Sequence, residues 1–418
     1  MGTDQGVKST PPALQTLVSV SEAIRRREVS PVELVTACLD RIERLQPQLN
    51  AFITIVADAA LQAARAAERA IDQGRWKGPL HGIPVAIKDF YDTAGIRTTA
   101  AFERFRERIP AKDAVSVEKL KGAGAIVVGK TNMHTLGMGT TGLESCFGPV
   151  RNPWNAEYIP GGSSSGSAAA VVSGLCYVTL DTDAIGSCRL PAACCGVVGF
   201  KGSYGAIDMK GILDGEQPPD DTIRWLAHAG LTTRSIQDTA LLLDVLAGQT
   251  ATAPPRREAL SVTTPLRIGV ADNFHADTEI TAVFGKAVAT ITGLGYAVSP
   301  VRAPFTDSTE GTATIQADRQ SIGRRVFSEI DVLVLPTTAT VTPTVKDAEK
   351  NAIALSPELT MFANYYGLPA VSVPCGFDSR GLPVGLQIVA NRGDDPVALR
   401  LASQYEAASG FANRYPIL

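Results

Sequence analysis

Apolar positions along this chain follow two periods. Leu34, Val35, Cys38, Leu39, Ile42 and Leu45 recur at helical spacing. Just ahead of them, Ser30-Pro31-Val32-Glu33 forms a capping box with proline at the first helical position, which marks a helix start. An alanine-rich stretch over 58–72 predicts a second helix. Beyond it the pattern changes to short apolar runs flanked by turn residues, at 83–87, 125–128 and 175–180, with a helical run over 115–120 between the first two. The same alternation returns late, with strands at 267–270, 332–335, 370–373 and 386–389, a helix over 278–294 and a last helix over 396–408. Short buried strands interleaved with helices predict an α/β protein.

The chain has 418 residues. At roughly 150 residues per domain that leaves room for two or three domains, although large single α/β domains break the rule. The stretch 250–264 is rich in Pro, Thr and Ala and resembles a linker. The strands after it are too few for a second large core, so it is expected to join two parts of one sheet.

Composition removes several classes of function. Hydrophobic residues make up 45% and charged residues 19%, which excludes an intrinsically disordered chain. Acidic residues number 42 and basic residues 39, so no basic excess points to nucleic acid or an anionic membrane. The longest uncharged stretch, 158–180, is broken by Pro160 and several glycines and serines and fails as a membrane span. Seven cysteines without a C-x-x-C fit buried free thiols in a reducing compartment, and no secretory signal is visible, so a cytoplasmic protein is expected. His81, His134, His228 and His275 form no H-E-x-x-H or H-x-H set, so no metal is expected and the histidines read as structural or surface groups. Asp214, Glu216, Asp220 and Asp221 lie among Gly215, Pro218 and Pro219 and read as a solvated loop rather than a pair of catalytic carboxylates.

Three segments carry candidate chemistry. Gly161-Gly162-Ser163-Ser164-Ser165-Gly166-Ser167 runs into helix formers and presents backbone N–H groups at a helix start. It lacks the G-K-[ST] ending of a nucleotide loop. Its G-x-S-x-G match, centred on Ser164, lacks the preceding strand that a nucleophile elbow requires. A second serine loop, Thr182-Asp183-Ala184-Ile185-Gly186-Ser187-Cys188-Arg189, follows a predicted strand. The third segment, Gly82-Ile83-Pro84-Val85-Ala86-Ile87-Lys88-Asp89, puts Lys88 at the end of a strand, where Asp89 is one available ion-pair partner. Each alone decides nothing.

Together the three segments resemble the amidase signature family, with its G-[IV]-P-x-x-[IV]-K-D, G-G-S-S-[GS]-G-S-A-A-A and T-D-x-x-G-S-x-R-x-P-A motifs. Lys88 and Ser163 lie 75 residues apart and Ser163 and Ser187 lie 24 apart, the spacings of that family. Thr131-Asn132-Met133, the segments 148–155 and 196–201, and the C-terminal runs 367–374 and 381–387 are similar to it as well, so the likeness spans nearly the whole chain.

The resemblance implies one large α/β/α domain. Its twisted mixed sheet would have about ten or eleven strands covered by helices on both faces, with 1–75 as an N-terminal helical segment packed on the core of 76–418. It implies an amidase that hydrolyses C–N bonds of small amides or carbamates through a serine acyl-enzyme. Ser187 is then the nucleophile, Ser163 the relay and Lys88 the base. Gly162 and Ser163 would be joined by a cis peptide, and the backbone N–H groups of Ala184, Ile185, Gly186 and Ser187 would form the oxyanion hole. Met138, Gly139, Thr140 and Ser164 are implied on the substrate side, with Asp183 and Arg189 holding the loop. No cofactor, metal, nucleic acid or membrane is expected, and the chain is expected as a monomer or homodimer. A hydrolase specific for urethanes (carbamates), one component of a tRNA-dependent amidotransferase and an inactive amidase-like binding protein are the other readings.

The chemistry is consistent on its own terms. Serine is a poor nucleophile until a base takes its proton, and lysine serves as that base only when burial depresses its pKa from about 10.4. Activity would then rise with pH through neutrality. Three positions depart from the family: Ile185 and Asp181 stand where glycine is common, and Gly202 where proline is. If position 185 requires a positive φ, a β-branched residue there is strained. Substrate choice is expected to lie in the loop 209–224 and in the shortened segment 301–325.

Overall fold

The computed structural model describes residues 11–248, 255–305, 312–411 and 414–418. Its centre is one mixed sheet of eleven strands. In chain order these are β1 (Phe52–Ile55), β2 (Pro84–Lys88), β3 (Ile126–Thr131), β4 (Val178–Asp183), β5 (Val198–Lys201), β6 (His228–Thr233), β7 (Ile268–Ala271), β8 (Val298–Val301), β9 (Val332–Pro336), β10 (Ala370–Phe377) and β11 (Pro383–Ala390). Across the sheet they run β1-β3-β2-β4-β6-β5-β10-β11-β9-β7-β8. β2 is parallel to both of its neighbours, β3 and β4, whereas β4, β6, β5, β10, β11 and β9 pair antiparallel in turn. The strands after the 250–264 stretch join the earlier ones through the β5–β10 pair, so the expected single sheet is present. Residues 250–254 of that stretch lie outside the described residues.

Both faces of the sheet are buried. Val85 and Ile87 of β2, with Val178 and Leu180 of β4, face a cluster that includes the helix Ile236–Ala247. Ala86 faces the opposite cluster, built from the helices Pro31–Leu49, Ala57–Asp72 and Ser165–Val172. Two-sided burial explains why these strands read as continuous apolar runs rather than alternating ones. The helix Pro31–Leu49 starts with the expected capping box, Glu33 N–H to Ser30 Oγ and Ser30 N–H to Glu33 Oε2. The segment 1–75 is not wholly helical, because its β1 is hydrogen bonded to β3 at the sheet edge. No helix among the described residues is long and apolar enough to cross a membrane.

Candidate active site

The parallel register of β2 and β4, with Ala86 opposite Thr179 and Ile87 opposite Leu180, brings the carboxyl ends of both strands to one edge of the sheet. That edge is where open α/β sheets build their sites. Lys88 is the last residue of β2, and Thr182 and Asp183 end β4. Ser163 lies in the loop before the helix Ser165–Val172, and Ser187 lies between β4 and the helix Arg189–Cys195. The two serine loops are tied together by the Ser164 N–H, which donates to the Ser187 carbonyl at 3.0 Å.

The Lys88 ammonium is fully buried. Its Nζ lies 2.8 Å from Ser163 Oγ, 2.8 Å from Ser164 Oγ and 2.9 Å from Thr182 Oγ1. Burial pushes its pKa down to about 8, against the opposing pull of Asp181, Cys188 and Asp183. Asp89 does not pair with Lys88. It turns the other way, accepts from the Thr99 N–H and hydroxyl, and faces Lys130 at 3.7 Å. The peptide between Gly162 and Ser163 is cis. The Ser163 carbonyl accepts from the His134 N–H at 3.0 Å. A Cβ on Gly162 would approach the backbone of Thr140, Thr141 and Gly142 to 3.0 Å, so this close approach leaves little room for a larger residue.

Ser187 is 4% exposed, and its hydroxyl makes no hydrogen bond to another described residue. The N–H groups of Ala184, Ile185 and Ser187 are also without a partner among the described residues. Gly186 differs from the expected set of four donors, because its N–H is committed to Asp183 Oδ1 at 2.8 Å. Three N–H groups of this loop therefore remain open. Ile185 is not among the non-glycine residues with positive φ, and the left-handed position of the loop falls on Gly186 at φ 132°. The β-branched residue therefore sits in the loop without backbone strain.

The loop is held from beneath by a buried polar cluster. Asp183 and Arg189 form an ion pair at 2.9 Å, both fully buried. Arg189 also donates to Gln387 Oε1, Asn364 Oδ1 and the Thr360 carbonyl. Burial alone would raise the Asp183 carboxyl, but the Arg189 charge and donors from Arg189 and Asn364 outweigh it and hold the pKa well below the usual range. The Thr360 hydroxyl donates to the Ile185 carbonyl at 2.5 Å. Thr360, Asn364 and Gln387 support the loop from the C-terminal half, and the sequence alone does not assign them. Gln387 stands in a recognised C-terminal motif, whereas Thr360 and Asn364 give no local signal.

The expected substrate-side residues divide. Met138 is 63% exposed and follows Gly137, where a Cβ would lie 3.7 Å from Ser163 Oγ. Gly139 and Thr140 are buried, and the Thr140 N–H donates to the Ala352 carbonyl at 2.8 Å. A Cβ on Gly139 would run into the ring of the buried His134. Ser164, expected on the substrate side, is instead fully buried behind Lys88, accepting from Nζ and donating to the Thr182 carbonyl. The acidic segment is only partly the solvated loop expected from composition. Glu216 and Asp92 share Arg108, and Asp220 caps the helix Asp221–Leu226. No cluster of His, Cys, Asp or Glu among the described residues is arranged to hold a metal.

A sequence model of the Amidase family matches residues 33–321 and 309–399. The chain belongs to the amidase signature family. Membership places it among enzymes that act on carbon–nitrogen bonds. The two matched stretches overlap at 309–321, within the segment that reads as shortened. Among curated relatives, the A-type subunit of the glutamyl-tRNA(Gln) amidotransferase of Geobacter metallireducens is 32% identical over 95% of this chain and 97% of its own length. The protein of the same name from Methylococcus capsulatus is 34% identical over 96% and 98%. Among solved structures, 6-aminohexanoate cyclic dimer hydrolase superposes with a TM-score of 0.84 at 27% identity, covering 97% of this chain and 99% of that one. A bacterial aryl acylamidase of the amidase signature enzymes gives 0.83 at 25% identity, covering 98% and 100%.

Proposed function

We propose that this chain is an amidase that hydrolyses small uncharged amides through a serine acyl-enzyme. The observation that carries this reading is the buried Lys88 Nζ at 2.8 Å from Ser163 Oγ, on a loop bonded to the one bearing Ser187. In its neutral form Lys88 accepts the Ser163 proton while Ser163 accepts the Ser187 proton. Ser187 Oγ then bonds to the substrate carbonyl carbon. The carbonyl oxygen takes the negative charge beside the N–H groups of Ala184, Ile185 and Ser187, and donors of this kind are worth about 3 kcal/mol each elsewhere. The proton held on Lys88 returns through Ser163 to the leaving nitrogen as the C–N bond breaks. Water then attacks the ester by the same relay.

Apolar groups favour an aryl or acyl amide, or a carbamate, over a charged substrate. Phe90, Ala184 and Ile185 are half-buried about the site. Met138 and Ile353 are exposed by 63% and 51%, on segments joined by the Thr140–Ala352 hydrogen bond. A single chain or a homodimer suffices, since all three groups come from one chain. The second reading, one component of an amidotransferase, is favoured by the names of the curated relatives.

Hydrolysis of p-nitroacetanilide, a simple aliphatic amide and an aryl carbamate, ranked by kcat/KM, tests the assignment. Wild type is expected to turn over at least one of them, with a rate that rises through about pH 8 as Lys88 loses its proton. Ser187→Ala and Lys88→Met are expected to lose at least about 10³-fold. No turnover on any substrate, in wild type and variants alike, would leave a binding protein.

A further inference from the structure

The strand register that delivers Lys88 to the site also delivers a carboxylate that the reaction above leaves unused. Ile87 lies opposite Leu180, so the next step of the parallel register sets Lys88 beside Asp181. Val178 and Leu180 face one core cluster, which turns Thr179 and Asp181 to the other face, the side shared by Ala86 and the helix Ser165–Val172. Asp181 is fully buried. Its Oδ2 accepts from the Thr179 and Thr232 hydroxyls at 2.6 and 2.7 Å. Its Oδ1 has no hydrogen-bond partner. The Ser167 hydroxyl, which lies 2.7 Å from Thr131 Oγ1, also helps to lower the Asp181 carboxyl. The opposing position on β6 is Gly230, where a Cβ would crowd Cys188 at 3.0–3.1 Å and touch the Asp181 Cβ at 3.4 Å.

A buried carboxylate met only by neutral hydroxyls is poorly compensated unless a cation lies close. Lys88, coupled to it by charge without a contact ion pair, is that cation whenever it is protonated. Burial raises the Asp181 carboxyl and Lys88 draws it down, while Asp181 opposes the fall of Lys88. The other groups facing the pair are Asp183, paired with Arg189, and Cys188 on the loop after β4, His134 beyond β3, Tyr91 beyond β2 and Cys176 ahead of β4. Burial holds both thiols and the phenol above their ordinary range and His134 below it, so these four stay uncharged near neutral pH.

We infer that Asp181 is a positioning residue for the base, the counter-charge to the Lys88 ammonium formed as the proton leaves Ser187 through Ser163. The inference rests on the assignment of Lys88 as base. The arrangement is analogous in logic to the carboxylate behind a catalytic histidine, which stabilises the cation without taking its proton.

The test follows the rate at which phenylmethanesulfonyl fluoride sulfonylates Ser187, read by intact mass between pH 6 and 10, in wild type, Asp181→Asn and Thr232→Val. In Asp181→Asn the acid limb is expected to move down by about one pH unit, since an adjacent opposite charge is worth about that much. The plateau is expected to fall by up to about tenfold, because the weaker base drives the step less. Thr232→Val, which removes one donor from the carboxylate and keeps its shape, is expected to move the limb the same way by less. It stands in if Asp181→Asn does not fold. A limb that stays in place while the rate falls evenly at all pH values would reduce Asp181 to packing and overturn the inference. A wild-type profile with no acid limb would overturn the role of Lys88 and the inference together, so the two failures are told apart.

Discussion

At Gly186 three demands meet on one residue. Its φ of 132° lies where only glycine sits without cost, and its N–H reaches back to Asp183. A Cβ there would come to 2.5 Å from Thr360 Oγ1 and 2.9 Å from Leu190 Cγ. Thr360 cannot yield freely, because its hydroxyl holds the Ile185 carbonyl. The neighbouring peptides carry two of the three open N–H groups, so a shift of the loop moves these donors together with Ser187, the proposed nucleophile. Gly186→Ala is therefore expected to lower kcat by about 10²-fold, the effect of losing one oxyanion donor. It should leave substrate KM within a few-fold. Steady-state kinetics on the anilide checks this, and wild-type kcat in the variant would show that the loop does not depend on glycine. Ile185, one residue earlier, tolerates a branched side chain because the unusual φ belongs to its neighbour.

The loop 183–189 behaves as a built element whose anchor is the Asp183–Arg189 pair. Removing one partner of a buried ion pair leaves the other uncompensated, at a cost of about 3–5 kcal/mol. Asp183→Asn is expected to lose about that much at pH 7, measured by urea unfolding. The pH dependence has a definite sign. The folded carboxyl is held well below its unfolded value of about 3.9, so its stabilisation is present above that pH and fades as pH falls toward the folded value. The gap between wild type and variant should persist from pH 7 to 5 and narrow below about pH 4. Equal stability of the two at pH 7 would remove the pair as the anchor. This element also marks how far sequence carries. Strands bounded by turn residues, such as β2, β9 and β11, and the three catalytic candidates in their motifs are legible. β1, β5, β7 and β8 are each four residues long, too short to show a period, and of these only β7 is expected from the sequence, at 267–270. β6 reads HAGLTT, polar enough to look like a loop, and its threonines are satisfied by partners on β4, on the turn at Ser235 and on the helix that follows. Ser164 reads as substrate-facing from its motif, but a place in a motif says nothing of which way a loop residue turns. Thr360 and Asn364 are invisible because they meet Arg189 only through the fold, at sequence separations of 171 and 175.

For the whole molecule, the open contrast is between a self-sufficient hydrolase and one member of an assembly. The curated relatives carry the name of an amidotransferase component, and the solved neighbours include hydrolases that match the chain end to end. The aligned length with the Geobacter protein, 485 positions, exceeds the 418 residues here, so that relative carries stretches this chain lacks. The family match divides within the 301–325 segment, in which the helix Ile315–Arg325 buries Ile315 and Ile322 against Phe362 and Tyr365. A chain of formal net charge −3 offers no electrostatic excess for a polyanion such as tRNA, whose binding rests on released counterions. The chain purified alone is therefore expected to hydrolyse the anilide with a kcat that added tRNA leaves unchanged between about 50 and 200 mM salt, the range over which a phosphate-dominated contact weakens steeply. Size-exclusion chromatography of the same sample should return one or two copies of the chain. Activity that appears only after tRNA and further protein components are supplied would turn the assignment toward the assembly.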